Sequence, residues 1–428
     1  MIKQVLFIVL LALTLLVFSY TVSRLWKLFR LTKKTAPVKD WGKRLNLTLA
    51  VAFGQTKILR KPLIGFLHAL VFWGFMVITV GSIEMVIDGV FGLERAFAGS
   101  GWFYKAITAS GDVFAYIIAF GIVAFLVRRQ FMHIKRFRGI ELKPKNKRDA
   151  NLALAMILFL MISLMGINLA YLNQNPEPVL GLYPISGLIA NYWQINLTQA
   201  HVVFEVSWWS HIVLIFIFAN YLPYSKHFHV FMSVPNVFFS NLDPLGKLPN
   251  MESVTKEVQL MLGGNAFQDT GDQAPARFGV KDVEDVSWKN YMDALTCTQC
   301  GRCTEVCPAN LTGKKLSPRK IFVDLRNRMN EKGLQLIKNP DYNDQKALVS
   351  DEYISYEELW ACTTCNACAQ ECPLNISHPN LIMDMRRYLV MEEGRAPSGI
   401  NAMFANIENN GAPWQFSPED RLEWTKGD

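Results

Sequence analysis

Apolar residues are concentrated in the first half of the chain, before residue 223. The hydrocarbon core of a bilayer is about 30 Å thick and needs about 20 apolar residues in a helix. Five segments meet that length and are predicted to span a membrane: residues 4–23, 62–87, 107–127, 151–172 and 199–222. The hydrophobic pattern therefore predicts an all-α membrane bundle of five transmembrane helices, followed by a soluble part.

The first apolar segment could also be a secretory signal peptide, which would be removed. No small-residue cleavage site follows it. Instead, a basic run comes directly after it: Arg24, Lys27, Arg30, Lys33 and Lys34. We therefore interpret this segment as a membrane anchor.

The charges of the loops predict an orientation. Residues 24–61 hold eleven Lys or Arg and residues 128–149 hold nine, whereas residues 88–106 hold two and residues 173–198 none. Basic loops stay on the cytoplasmic side. The N-terminus is then outside a bacterial inner membrane and everything after the fifth helix is cytoplasmic. The net charge of +8 comes mostly from these two loops, which indicates lipid headgroups rather than nucleic acid as the partner.

Three regions follow from this pattern. Residues 1–230 are predicted to form the membrane domain, residues 231–285 a connector rich in Pro, Gly and Asn, and residues 286–428 a soluble, mainly α-helical domain.

All eight cysteines lie in the soluble domain, in two copies of C-x-x-C-x-x-C-x-x-x-C-P. This is the spacing of bacterial two-cluster ferredoxins, in which the fourth cysteine of each copy ligates the other cluster. The predicted ligand sets are Cys297, Cys300, Cys303 with Cys372 for the first [4Fe–4S] cluster, and Cys362, Cys365, Cys368 with Cys307 for the second.

Disulfides and zinc are the alternatives for these cysteines. Disulfides need an oxidising compartment, and the predicted orientation puts the soluble domain in the cytoplasm. Structural zinc uses C-x-x-C pairs and has no need of a third and fourth cysteine at this spacing.

Four histidines lie in or beside the apolar segments: His68, His201, His211 and His229. An ionisable side chain at membrane depth is costly and is often functional, although any one of them could be a satisfied polar residue between helices. If the fifth helix continues, His211 and His229 are five turns apart, about 27 Å, on one face.

The second and fifth helices run antiparallel, so His68 and His229 are expected at similar depth. Two facing imidazoles can clamp the iron of a b-type haem. A glycine stripe on the second helix would leave room for it: Gly65, Gly74 and Gly81.

The stretch from His211 to His229, followed by FMSVP, resembles the last helix of the nitrate reductase gamma-type cytochrome b. That resemblance implies one ligand for each of two haems on this helix. It matches His68 to the cytoplasmic-side ligand of the second helix, while the other ligand position falls at Ile78, which cannot bind iron. One haem between His68 and His229 is therefore expected. His211 could pair with His68 or with an unplaced ligand, or the distal haem is absent.

His201 and Glu205 are one turn apart near the outer end of the fifth helix. Quinone chemistry needs protons as well as electrons, so titratable groups at the membrane edge suit a quinone site. The alternative is an interfacial belt with an incidental ion pair, since Trp208 and Trp209 are close by.

The stretches WKNYMDALTCTQCGRCTEVCP and EELWACTTCNACAQECP resemble the two-cluster ferredoxin component of heterodisulfide reductase. They are more similar still to membrane-bound iron–sulfur oxidoreductases that serve electron-transfer flavoprotein and menaquinone. Larger members continue into cysteine-rich CCG domains, whereas no cysteine follows Cys372 here. The resemblance then implies a separate CCG-domain iron–sulfur protein as partner.

The expected function is an electron-transfer subunit of a quinone-linked oxidoreductase, with no organic substrate other than menaquinone. No dinucleotide-binding fingerprint of glycines after a strand is present. A membrane ferredoxin acting in metalloenzyme assembly or in redox sensing is the alternative, and the presence of haem would distinguish the two.

Overall fold

A computed structural model describes residues 2–35, 38–137, 139, 141–142, 144–175, 179–263 and 277–427. The described part of the chain is built from helices and contains no β-strand, only two isolated bridges. The predicted all-α fold class is confirmed.

Among the described residues, five helices are long and apolar enough to cross a membrane. They are α1 (Ile2–Arg30), α4 (Pro62–Phe91), α5 (Trp102–Phe131), α6 (Pro144–Gln174) and α8 (Leu197–Tyr221). Each coincides with one of the five predicted segments, and most extend beyond it. Shorter helices join them: α2 (Trp41–Thr48), α3 (Thr56–Leu59) and α7 (Pro184–Tyr192).

The long helices form one bundle in which α6 packs between α5 and α8, α4 packs on α5, and α1 contacts both α4 and α8. The glycine stripe of α4 serves packing at two of its three positions. A Cβ at Gly65 would collide with the backbone of Ile58, and one at Gly74 would meet Phe114 and Ile118 of α5, whereas one at Gly81 would meet nothing. The expectation that this stripe leaves room for a haem is therefore wrong at Gly65 and Gly74, where close packing explains the glycine.

A buried carboxylate within α5 has a structural explanation. Asp112 is 1% exposed and accepts hydrogen bonds from the backbone N–H groups of Ile185 and Ser186, at 2.8 and 3.0 Å. These are the first free N–H groups of α7. Asp112, which lies on α5, therefore accepts hydrogen bonds from groups that have no partner within α7 itself.

Beyond α8 the chain turns twice before α9 (His229–Phe238) and then reaches α10 (Glu252–Met261). Pro223 lies in the first turn. The fifth membrane helix therefore ends at Tyr221 and does not continue to His229, so the five-turn spacing argument does not apply to these two histidines.

The soluble part consists of short helices around a core that includes Tyr291, Phe322, Leu325 and Met385. Its helices are α11 (Trp288–Thr296), α12 (Arg302–Glu305), α13 (Pro308–Leu311), α14 (Pro318–Arg328), α15 (Leu334–Leu336), α16 (Tyr356–Trp360), α17 (Ala367–Glu371), α18 (His378–Met391) and α19 (Ser398–Asn410). The same core takes in Leu25 and Leu28 of α1 and Phe228, so the two domains share packing. Residues 264–276 of the predicted connector lie outside the described residues, and its boundaries stay a prediction.

Candidate functional site

The two cysteine loops have the same unusual backbone. Gln299 and Gly301 in the first loop and Thr364 and Asn366 in the second all have positive φ, between 54° and 77°. The matching positions are the residues before and after the middle cysteine of each C-x-x-C-x-x-C run. Left-handed backbone is costly for non-glycine residues and persists where the surroundings enforce it. Here it curls each loop around its cysteines, and the N–H of Thr364 donates to Sγ of Cys362 at 3.4 Å.

The first cavity, which we call site A, contains about 320 Å³ of space, part of it open to solvent. Four cysteines line it: Cys297, Cys300, Cys303 and Cys372. The basic side chains Arg302, Arg319 and His378 also line it. The fourth cysteine comes from the second motif, as the spacing predicts.

The second cavity, site B, is also lined by four cysteines and has a similar volume of about 320 Å³, but no charged side chain among the described residues lines it. Its cysteines are Cys362, Cys365, Cys368 and Cys307, the last one from the first motif. Cys365 is exposed, whereas three of the four cysteines of site A are buried. Site B therefore has one fully exposed cysteine at the surface, whereas site A has none.

The donor set of both cavities suits an iron–sulfur cluster. Burial raises the pKa of the Cys297 thiol to about 11, and the pKa values of Cys368 and Cys372 to about 12, with neighbouring cysteines adding to the effect. Four converging thiolates are stable only when a cation compensates their charge. Backbone N–H groups already face these sulfurs, for example those of Leu374 and Ile376 at Cys372. The ligand assignment itself stays a prediction.

The alternatives for the cysteines gain no support from the geometry. All eight cysteines are free thiols rather than disulfide-bonded. The four cysteines of each cavity surround a larger space, and in the described part of the chain no three His, Cys, Asp or Glu side chains lie close enough together to hold a single metal ion.

Hydrogen bonds connect site A to α3, the single helical turn that precedes α4. The guanidinium of Arg302 donates to the carbonyl oxygen of Lys57 at 3.0 Å, and Lys57 Nζ donates to the carbonyl of Cys372 at 3.2 Å. Arg60 donates to the carbonyl of Gln370 at 3.1 Å. Both cysteine motifs thus contact the segment that leads directly into the helix of His68.

A buried ion pair holds the other side of site A. Arg319 donates through Nε to Glu141 at 2.7 Å, and both side chains are almost fully buried. Glu141 belongs to the loop between α5 and α6, so the pair ties the soluble domain to the membrane domain. Such a pair is strongly destabilising to break, because the remaining charge is left buried and unpaired.

His68 and His229 are near enough for a charge on one ring to act on the other, and the charge of Arg302 at site A acts on His68 as well. Nδ1 of His68 is buried without a hydrogen-bond partner. Nδ1 of His229 lies 3.4 Å from the carbonyl oxygen of Lys226, which leaves Nε2 to face another group. We call these two residues the histidine pair.

The chemistry of the histidine pair suits haem iron. Burial lowers the pKa of His229 to about 4, so its ring is neutral and can donate a lone pair at neutral pH. An iron-binding imidazole usually engages a carbonyl with its second nitrogen, and His229 does so. The two side chains therefore have the chemistry of haem ligands, and their role as ligands stays a prediction.

His211 is placed differently. It is 1% exposed inside the bundle, and its Nδ1 contacts Oγ of Ser163 at 2.8 Å and the carbonyl of Leu160 at 3.0 Å. Both partners are on α6, which matches the alternative of a satisfied polar residue between helices. No pairing with His68 is seen in the described structure.

His227 is a neighbour of the histidine pair that the sequence did not single out. Its ring centroid lies 5.9 Å from that of His229, and its Nδ1 is 3.1 Å from Oγ of Ser225. Burial lowers its pKa to about 3, with His229 as the next cause. The single H-x-H pattern of residues 227–229 could have signalled it, but Lys226 beside it indicated only a basic segment on the cytoplasmic side.

The quinone candidates lie apart from these sites. Glu205 forms an ion pair with Lys3 at the start of α1, and its side chain is 28% exposed. His201 is exposed. The partner of Glu205 is thus Lys3 rather than the expected His201, and the assignment to quinone binding stays untested.

Comparison with known proteins agrees with this geometry. Residues 296–376 match a 4Fe-4S dicluster domain. The chain is 28% identical to the "Probable iron-sulfur-binding oxidoreductase FadF" of Bacillus subtilis, over 99% of this chain and 60% of the relative. It is 26% identical to the "EtfAB:quinone oxidoreductase" of Syntrophomonas wolfei, over 87% of this chain and 52% of the relative.

A shorter match covers about a third of the chain. A "Probable membrane-anchored ferredoxin" of Chromohalobacter salexigens is 34% identical over 36% of this chain and 25% of its own length. No solved structure matches. The chain spans 60% and 52% of the lengths of the first two relatives. The predicted resemblance to membrane-bound iron–sulfur oxidoreductases and to heterodisulfide reductase components is confirmed, and the chain is similar to iron–sulfur electron-transfer oxidoreductases that associate with membranes.

Proposed function

We propose that this chain is the electron-transfer subunit that joins a cytoplasmic redox partner to the menaquinone pool of a bacterial inner membrane. When bound, two [4Fe–4S] clusters at sites A and B and a b-type haem at the histidine pair would supply one-electron transfer along the molecule. Its cysteines and histidines would hold these groups, and the rest of the chain fixes their order.

The observation that carries the proposal is the succession of the three sites. Site B opens to the surface at Cys365. At site A no cysteine is fully exposed, and Arg302 connects this site to the turn before α4. The charge of Arg302 also acts on His68, so the histidine pair lies near site A. An electron relay between a soluble partner and a membrane needs donor sites in this order, with the outermost one exposed.

The orientation in this proposal rests on the charge asymmetry of the loops. It puts the N-terminus outside and the soluble domain in the cytoplasm, where thiols stay reduced and free to ligate iron.

The proposed cytoplasmic partner is a CCG-domain iron–sulfur protein, with electron-transfer flavoprotein as the donor behind it. The name of the Syntrophomonas relative supports this choice, because it pairs an electron-transfer flavoprotein with a quinone. Exposed Cys365 marks the face on which such a partner would dock.

A membrane ferredoxin in metalloenzyme assembly or redox sensing is the second candidate. The match to a membrane-anchored ferredoxin favours it. That function does not require the histidine pair, so haem content separates the two.

A reduced-minus-oxidised spectrum of the purified chain tests the proposal. We expect b-type haem absorbance together with two [4Fe–4S] clusters, and re-oxidation of the reduced protein by a menaquinone analogue in proteoliposomes. Clusters without haem, and no reaction with the quinone, would support the assembly or sensing function instead.

A further inference from the structure

The loop between α1 and α4 carries a face of large apolar side chains that point outward. It begins with α2 and continues as a π-helical turn over Leu49–Phe53. Trp41, Leu45 and Leu49 are spaced four residues apart and are 64%, 54% and 52% exposed. Residues four apart in a helix share one face. Apolar residues on one face of a helix beside two membrane-spanning helices are typical of a segment that lies in the membrane interface.

The far end of this segment reaches below the surface of the bilayer. Trp73 of α4 donates to the carbonyl oxygen of Phe53 at 2.9 Å, and the rings of Phe53 and Phe72 are 6.3 Å apart. Trp73 comes eleven residues after Pro62, about 16 Å along the helix. A helix of this length, about 45 Å, extends roughly 7 Å beyond each side of a 30 Å hydrocarbon core. Phe53 is therefore expected about 9 Å inside the core, by the same arithmetic.

The near end of the segment is basic. Lys39 and Lys43 are exposed beside Trp41. Asp40 is 3.8 Å from Lys43, but both side chains are more than half exposed, so this pair binds weakly. Lysines at one end and apolar rings at the other match the headgroup and acyl layers of a leaflet that contains anionic lipid.

We propose that residues 41–53 form an oblique interfacial segment whose apolar face is covered by anionic phospholipid. Trp41, Leu45, Leu49 and Phe53 contact acyl chains at increasing depth, and Lys39 and Lys43 contact lipid phosphates. This site goes beyond the proposed electron transfer and does not depend on it.

The same segment holds the junction between the two domains. Arg44 donates to the carbonyl oxygens of Phe238 and Ser240, both at 2.9 Å, at the end of α9. Asn236 of α9 in turn donates to Asp293 at 3.0 Å and to the carbonyl of Leu374 at 2.9 Å, in the soluble domain. Residues 41–53 are therefore linked through Arg44 to α9, the helix that begins with His229, and through Asn236 of α9 to the loop of site A.

Photo-crosslinking of the full-length protein in lipid nanodiscs tests the proposal. A benzoylphenylalanine is placed at Leu45, at Leu49 or, as a control of similar exposure in the soluble domain, at Leu422, which is 61% exposed. We expect phospholipid adducts on the tryptic peptides that contain positions 45 and 49, and none at position 422. Crosslinks from both positions to a second copy of the chain, or no lipid adduct at either position, would overturn the proposal.

Nanodiscs with equal amounts of phosphatidylglycerol and phosphatidylcholine test the headgroup contact. Adducts at position 45 should be enriched in phosphatidylglycerol, by up to about fivefold for each neighbouring lysine. Lys39→Gln with Lys43→Gln should bring the ratio back to one. If the crosslinker at position 45 captures the two lipids equally while Lys39 and Lys43 are present, the preference for anionic lipid is refuted. If the enrichment persists after both substitutions, these two lysines are not its cause and their proposed phosphate contacts are wrong.

Discussion

At the scale of single residues, left-handed backbone marks the cysteine loops. Gln299, Thr364 and Asn366 each adopt a conformation that costs a non-glycine residue about 1–3 kcal/mol. This conformational cost recurs at matching positions of both motifs, although the residues there differ. We therefore attribute the left-handed backbone to the curvature that each loop needs around its cysteines. Spacing alone predicted which cysteines meet, because in this motif the fourth cysteine belongs to the other cluster.

The first prediction is that the fourth cysteine of each motif ligates the cluster of the other motif. Cys307→Ser should damage the cluster of Cys362, Cys365 and Cys368, and Cys372→Ser should damage that of Cys297, Cys300 and Cys303, because each lines the opposite cavity. Electron paramagnetic resonance with the two signals assigned measures this. Loss of the cluster of its own motif in each variant would show that the assignment is wrong.

The histidine pair gives the second prediction. His68→Ala and His229→Ala should each remove the same b-type absorbance, since both rings would hold one iron. His133 is exposed and is the matched control, whose replacement by Ala should retain the full spectrum. If His211→Ala removes that haem while His229→Ala leaves it intact, the haem lies deeper in the bundle and the pairing is wrong.

At the scale of helices, the sequence predicted membrane spans better than junctions. A span is an apolar run whose length is dictated by the bilayer, and every predicted run lies within a helix except for Leu222, one residue past the end of α8. The link from α8 to His229 is set by two tight turns around Pro223 and by packing on the soluble domain. Helical periodicity could not foresee this. The expectation that His229 and His68 lie at similar depth did not require α8 to continue to His229, because both residues lie at the same end of the bundle.

The contact between α12 and the turn before α4 supports a third prediction. Arg302 is buried and donates to the carbonyl of Lys57. A hydrogen bond from a charged donor to a backbone carbonyl contributes about 1.5–3 kcal/mol. Arg302→Gln should lower the free energy of unfolding of the soluble domain by that amount, and it should slow electron exchange between iron–sulfur and haem signals in stopped-flow experiments.

Arg395→Gln is the matched control, because Arg395 lies in the soluble domain but pairs with partly exposed Glu393. It should change neither quantity by more than the weak effect of a surface pair. Equal behaviour of the two variants would mean that Arg302 is not needed to hold site A against the membrane domain.

At the scale of the whole molecule, the two ends of the bundle differ. Buried ion pairs and arginines crowd the side that holds the soluble domain, such as Arg319 with Glu141. Such long-range pairs have no sequence period, so the sequence predicted neither this pair nor that of Lys3 with Glu205, whose partners are 202 residues apart. The sequence could predict which end of the bundle is basic, because the lysines and arginines are concentrated in the loops at that end.

The last prediction concerns the quinone site, whose candidate residues lie at the end of the bundle opposite the histidine pair. Glu205→Gln keeps the shape of the side chain and removes its proton exchange. If Glu205 serves quinone protonation, turnover with a menaquinone analogue should fall about a hundredfold, the lower end of what general acid–base groups contribute, with haem and cluster content unchanged. Lys3→Gln breaks the same ion pair and keeps the carboxylate, so it should have little effect on turnover because the pair is partly exposed. Full turnover of Glu205→Gln, or an equal loss in Lys3→Gln, would make the pair structural. The quinone would then have to be sought near the histidine pair, where the soluble domain meets the membrane.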